Sequence, residues 1–143
     1  MDKETVPVKV KLRYGAPAEK VFDAFLDPKK AGKFMFATVT GKMVKVEIDP
    51  KVGGKFLFVD RRPEGDAEHF GTYTELERPK RLAFEFSVDR RAKSGDAVSI
   101  DIKKLEKGCE VTLIHHIDAD YADYKEKIEL GWAGILDALA DTL

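Results

Sequence analysis

Cysteine is nearly missing from this chain of 143 residues, where Cys109 stands alone. A lone thiol excludes an intrachain disulfide, and without a C-x-x-C pair the thiolate-rich zinc sites are excluded too. Long apolar runs are also lacking. No stretch approaches the ~20 consecutive apolar residues of a membrane-spanning helix, and the opening MDKETVPVKV carries acidic residues and no apolar signal segment. The expectation is no membrane span and a cytoplasmic location. Charge is balanced, with 25 Lys+Arg against 26 Asp+Glu and a formal net charge of -1. Interspersed signs of this kind offer no dedicated surface to nucleic acid. G-x-S-x-G, the Walker loop, G-x-G-x-x-G and H-E-x-x-H are all absent. Asp118-Ala119-Asp120 lacks the glycine and distal glutamate of a calcium loop. No catalytic residue, metal site or cofactor is therefore expected.

What is present is the composition of a globular domain: 43% hydrophobic and 36% charged residues. The length suits one domain, residues 1–143, able to bury a sizeable core without staples. The chain is organised around its end, Tyr124 to Leu143, where Ile128, Trp132, Ile135, Leu136, Leu139 and Leu143 fall on one stripe of a 3.6-residue helix. Asp120 is its expected N-cap, with Asp123 in the first turn. Gly131 and Gly134 lie inside the helix at up to ~1 kcal/mol each relative to alanine, which predicts a close neighbour at their backbone.

From the start, Val6, Val8, Val10 and Leu12 alternate with Lys9, Lys11 and Arg13 as in a half-buried strand. Pro17 is placed in the first turn of a short helix carrying Val21, Phe22, Phe25 and Leu26, and a second short helix follows from Pro28 to about Phe34. Six further alternating segments begin near Met43, separated by turns such as Asp49-Pro50-Lys51-Val52-Gly53-Gly54 and Arg78-Pro79-Lys80. Short turns make the sheet antiparallel, and alternation leaves it one dry face, which the C-terminal helix has the apolar surface to cover.

Among candidate functional residues, His115 and His116 point to opposite faces and so cannot share a metal. His115 is expected inward with Val111 and Leu113, either as a hydrogen-bonded core residue or as a group that orients a ligand or acts as a base. His69 reads as solvated. Tyr73 and Glu75 share a face by parity, and an inward Glu75 would meet His115 or Arg81. Arg61-Arg62 and Arg90-Arg91-Ala92-Lys93 are basic loop ends, solvated or set toward an acidic partner. Phe34, Phe36, Phe56, Phe58, Phe84, His115, Trp132 and Leu136 are the candidate lining of a cavity, with a filled core as the alternative.

The pieces APAEKVFDAFLDPKKAGKF, VEIDPKVGGKFLF, GTYTELERPKRLAFEF, EVTLIHH and GWAGILDALADTL, in this order, resemble the activator of heat-shock protein 90 ATPase homologue-like family of the START and birch-pollen-allergen-like helix-grip superfamily. The resemblance implies an α+β helix-grip fold, with a seven-stranded curved antiparallel sheet wrapped round the C-terminal helix and two short helices between strands 1 and 2. It implies a cavity for a small hydrophobic or amphipathic ligand of lipid, sterol or polyketide class. The alternatives are a co-chaperone-like module contacting a chaperone or other protein, and a cyclase or hydrolase using His115. Phe34-Met35-Phe36 stands where many members carry a tryptophan pair, so the pocket there is expected to differ in shape.

Overall fold

The structure is a computed structural model that describes residues 4–38, 40–88 and 95–143. The predicted basic run Arg90-Arg91-Ala92-Lys93 lies outside the described residues. Strand β1 (Thr5–Tyr14) leads into two short helices, α1 (Ala18–Leu26) and α2 (Pro28–Phe34). Pro17 stands at the N-cap of α1, one residue ahead of the expected place, and the helix buries Ala18, Val21, Phe22, Ala24 and Phe25. Asp27 caps α2 by accepting from the Lys29 N–H, and Pro28 occupies the first turn, where its missing donor is harmless.

Strands β2 (Lys42–Ile48), β3 (Lys55–Arg62), β4 (Gly65–Glu77), β5 (Arg81–Ser87), β6 (Asp96–Lys104) and β7 (Cys109–Asp118) follow. They form one antiparallel sheet in the order β1-β7-β6-β5-β4-β3-β2. Six strands pair as consecutive hairpins, and β1 closes against the last. Alternation decides which side is dry. In β7, Cys109, Val111, Leu113, His115 and Ile117 are buried and the residues between them are not.

Two register shifts break the simple parity, between Met43 and Lys45 and between Tyr73 and Glu75. The second corrects the expectation that Tyr73 and Glu75 share a face. Tyr73 is buried, while Glu75 is exposed and bonded to Arg81. A bulge adds one residue to the strand and so inverts everything after it.

After β7 the chain makes a 3-10 segment (Ala119–Tyr124) capped by Asp118, which accepts from the Asp120 N–H. The expected Asp120 cap of the long helix does not form: Asp120 lies inside this segment, and Tyr124 stands at the N-cap of the helix without a side-chain cap bond. Helix α3 (Lys125–Leu139) follows and buries Trp132, Leu136 and Leu139, with Ile128, Ile135 and Leu143 packed at its edges. It lies against β1 and α2. Gly131 and Gly134 are exposed, and a Cβ at either would meet nothing within 4 Å. The close neighbour expected at these glycines is absent because they lie off the buried stripe.

Candidate functional site

Three polar side chains are buried in the described residues: Asp60, His69 and His115. All three project from the dry face toward the end of the sheet where α3 begins. His115 comes from β7 opposite Val8 on one side and Val98 on the other. The Trp132 indole N–H donates to its Nδ1 at 3.0 Å, and its Nε2 lies 2.9 Å from Asp96 Oδ2. Because indole only donates, Nδ1 must carry the lone pair and Nε2 the proton. Burial holds the His115 pKa below its ordinary value, with Asp96 acting in the opposite direction. Both nitrogens are engaged, so His115 has no free lone pair to offer a substrate.

Asp60 and His69 sit on β3 and β4. Asp60 Oδ2 accepts from Thr38 Oγ1 at 2.7 Å and from Arg62 Nε at 3.0 Å, while Oδ1 has no partner. The Nδ1 of His69 is likewise buried without a partner. Burial, helped by the Arg62 charge, lowers the His69 pKa to about 4, against the pull of the Phe58 and Ala67 carbonyls and Asp60. The residue is neutral at pH 7. An unmet buried polar atom costs about 1–3 kcal/mol, so two in one neighbourhood call for an explanation.

Between the two histidines lies Phe36. It directly follows Met35, the C-cap of α2, and holds φ at 59°, the left-handed region that a bulky side chain occupies only under constraint. Its ring stacks on His69 with centroids 4.4 Å apart and planes within 8°. It also meets Phe58 at 5.5 Å, Phe86 at 5.3 Å and Trp132 at 5.8 Å. Phe86 in turn meets His115 at 5.3 Å, so one continuous aromatic patch joins both polar groups.

Outside this patch a groove of about 630 Å³ runs between the sheet and the start of α3, lined by Arg62, Val88, Asp96, Ile117, Tyr121, Tyr124, Lys127 and Ile128. Its wall is apolar and aromatic, with Arg62, Asp96 and Lys127 at the rim. Deeper in, the void among Phe25, Met35, Phe56, Phe58, Tyr73, Leu82 and Phe84 measures about 10 Å³, room for one water at most.

The profile of the family described as Activator of Hsp90 ATPase homolog 1-like protein matches residues 15–143. The chain belongs to this family. Its fold recurs in a crystal structure of a protein from Chromobacterium violaceum, with 24% identity, TM-score 0.82 and 94% of each chain covered. It recurs in one from Nitrosomonas europaea, with 21% identity, TM-score 0.83, and 100% of this chain and 96% of that one covered. A solution NMR structure of an AHSA1-like protein from Aeromonas hydrophila shares 22% identity at TM-score 0.82 over 96% and 91% of the two chains. No curated protein sequence matches closely enough to carry an argument. The helix-grip fold is in general a ligand-binding fold. No helix in the described residues is long and apolar enough to cross a membrane.

Within this AHSA1-like chain the eight sequence-predicted lining residues all come out buried between sheet and helices. Phe36, His115 and Trp132 gather beneath the groove, and Phe56, Phe58 and Phe84 pack deeper. Phe34 lies against Phe25 at 5.4 Å, and the Leu136 carbonyl accepts from the Tyr14 hydroxyl. Of the two partners considered for Glu75, His115 and Arg81, it meets Arg81, on the outer face of the sheet. His69, expected solvated, is 8% exposed. Asp60, Thr38 and Asp96 were not anticipated, and Arg62, expected as a basic loop end, ends β3 bonded to Asp60. Asp60 was readable, since it continues the inward parity of Phe56 and Phe58.

Proposed function

We propose that this protein binds a small amphipathic molecule at the mouth between α3 and the sheet, with the apolar part directed at the Phe36–Trp132 patch and the polar part at the rim. The observation that carries this reading is the groove itself: an apolar, tyrosine-walled concavity set directly over buried polar side chains, the usual composition of a ligand site. Ligands of lipid, sterol or polyketide class fit this description. The filled interior limits what enters without movement, so a larger ligand requires α3 or Phe36 to shift. Such a ligand acts by selecting a more open conformer.

The second reading, a protein-interaction module, draws on the exposure of Tyr121, Tyr124 and Leu130 at the same end, at 58%, 55% and 74%. Thermal unfolding with and without a panel of lipids, sterols and aromatic polyketides separates the two. A ligand that binds only the folded chain raises its stability by RT ln(1 + [L]/Kd). A reproducible rise with one class, lost on Tyr124→Asp, supports binding at the mouth. No shift with any class moves the assignment to the interaction module.

A further inference from the structure

Resting on the reading just given, we propose that the volume filled by the Phe36 ring is the inner part of the ligand site, with Phe36 as a displaceable plug, and that it takes a neutral hydroxyl-bearing ring whose O–H is read by Asp60 and His69. Three independent features meet here.

The first is hydrogen-bond arithmetic. Asp60 is 1% exposed and keeps Oδ1 unpaired, and His69 keeps Nδ1 unpaired. Both residues project inward from adjacent strands, Asp60 two residues beyond Phe58, which is directly opposite His69. Folded proteins seldom leave such atoms unmet, and the exceptions mark strained or catalytic positions or places that a water or ion fills.

The second is conformational. Phe36 holds its left-handed backbone at a cost of about 1–2 kcal/mol for a residue with a Cβ. It does so while stacked on His69, with its own carbonyl 3.5 Å from Arg62 Nη2. Return of this residue to ordinary φ withdraws the ring from His69. The space left is ring-sized and flat, bounded by Phe56, Phe58, Phe86 and Trp132. Packing is what holds the plug against its own backbone preference, so an occupant that restores the packing releases that strain.

The third is the sign of the chemistry. A carboxylate oxygen accepts. A neutral imidazole carries one proton, so the unpaired Nδ1 of His69 offers either that proton or a lone pair. A phenol or alcohol donates its one proton to Asp60 Oδ1, and its oxygen accepts where His69 Nδ1 carries the ring proton. A carboxylate head is disfavoured because Asp60 is already there, and the Arg62 guanidinium is committed to Asp60 and the Phe36 carbonyl. A cation is disfavoured by Arg62. The ring preference follows from the near-parallel stack on His69 that the occupant inherits from Phe36.

Trp132, the only tryptophan of the chain, lies 5.8 Å from the Phe36 ring and reports occupancy by its fluorescence. The full chain and its Phe36→Gly variant are titrated with 4-ethylphenol, ethylbenzene and 4-ethylbenzoate, and calorimetry supplies the affinities. Phe36→Gly is expected to bind 4-ethylphenol about tenfold more tightly than ethylbenzene, the worth of one net hydrogen bond to a charged acceptor. The benzoate should bind weakest, and the native chain should keep the same order at lower affinity. Asp60→Asn and His69→Phe should each shrink the phenol preference several-fold, while His69→Phe raises the melting temperature. Equal binding of 4-ethylphenol and ethylbenzene would reveal a mere hole and overturn the proposal, as would preferred binding of the benzoate. If Phe36→Gly does not fold, the same preference measured in the native chain and in His69→Phe decides. Stabilisation by the wider amphiphile panel without any hydroxyl preference defeats this inference alone; no stabilisation by anything defeats the mouth reading with it.

Discussion

The two ends of the space between α3 and the sheet are built on opposite terms. At the closed end Cys109, Val111, Leu113, Leu136 and Leu139 are fully buried, and the one buried polar group added there, the Tyr14 hydroxyl, donates to the Leu136 carbonyl. Burial raises the Tyr14 pKa far above its usual value, so it stays a donor. Everything at that end is satisfied. At the mouth the chain keeps Asp60 Oδ1 and His69 Nδ1 unpaired, holds Phe36 at positive φ, and leaves Tyr121 and Tyr124 in solvent. Local rules are obeyed at the closed end and broken at the mouth, where the proposed ligand would be met. On the proposed reading, stability and recognition are segregated along one helix.

The largest expected effect tests the closed end. Leu136→Ala should lower stability by about 2–5 kcal/mol in urea unfolding, because a fully buried Leu leaves a cavity that its neighbours cannot fill. A loss under 1 kcal/mol would break the comparison.

The mouth is tested next by pH. The His69 pKa is depressed to about 4 in the fold against 6.5 for the free group, so its contribution is fully present above pH 6.5 and is lost as pH falls toward 4. Burial lowers the His115 pKa in the same direction. Unfolding free energy should therefore drop by about 2 kcal/mol between pH 7 and pH 5 from His69 alone. His69→Phe should flatten that slope and be the more stable protein at pH 5.

Smaller effects sharpen the picture. At Phe36 glycine should be about 1 kcal/mol more stable than alanine, since only the left-handed backbone favours glycine over a residue with a Cβ. The order must reverse on the outer face of α3, where Gly131→Ala and Gly134→Ala should each stabilise by about 1 kcal/mol, having open space around them. Arg78→Ala, which removes an exposed pair with Asp23, should change stability by less than about 0.5 kcal/mol.

Element type and order were legible because period-2 and period-3.6 patterns are carried by many residues at once. The helix stripe, the alternation of β7 and the inward His115 needed no tertiary information. Two of the failures turn on a single backbone event. One inserted residue between Tyr73 and Glu75 sends Glu75 outward, and one left-handed residue brings Phe36 over His69. Asp60 could be read from the parity of Phe56 and Phe58, whereas His69 follows a polar loop, and composition gives no hint that it is covered. The position of the glycines in α3 was read correctly, but their surroundings depend on which way the helix faces.

The sheet order also sets a sequence of events in time. Strands β2 to β7 pair as neighbouring hairpins with short loops, whereas β1 pairs only with β7, so Thr5 meets Asp118 and Tyr14 meets Cys109 across some hundred residues of chain. Local hairpins close in microseconds, and contacts this remote in sequence form late. On a ribosome β1 is made before β2 to β7 and is the last of the seven to find its partner. Through most of synthesis Val6, Val8, Val10 and Leu12 wait as an unpaired apolar edge, and the lysines and arginine between them are what keep that edge soluble until the final strand arrives.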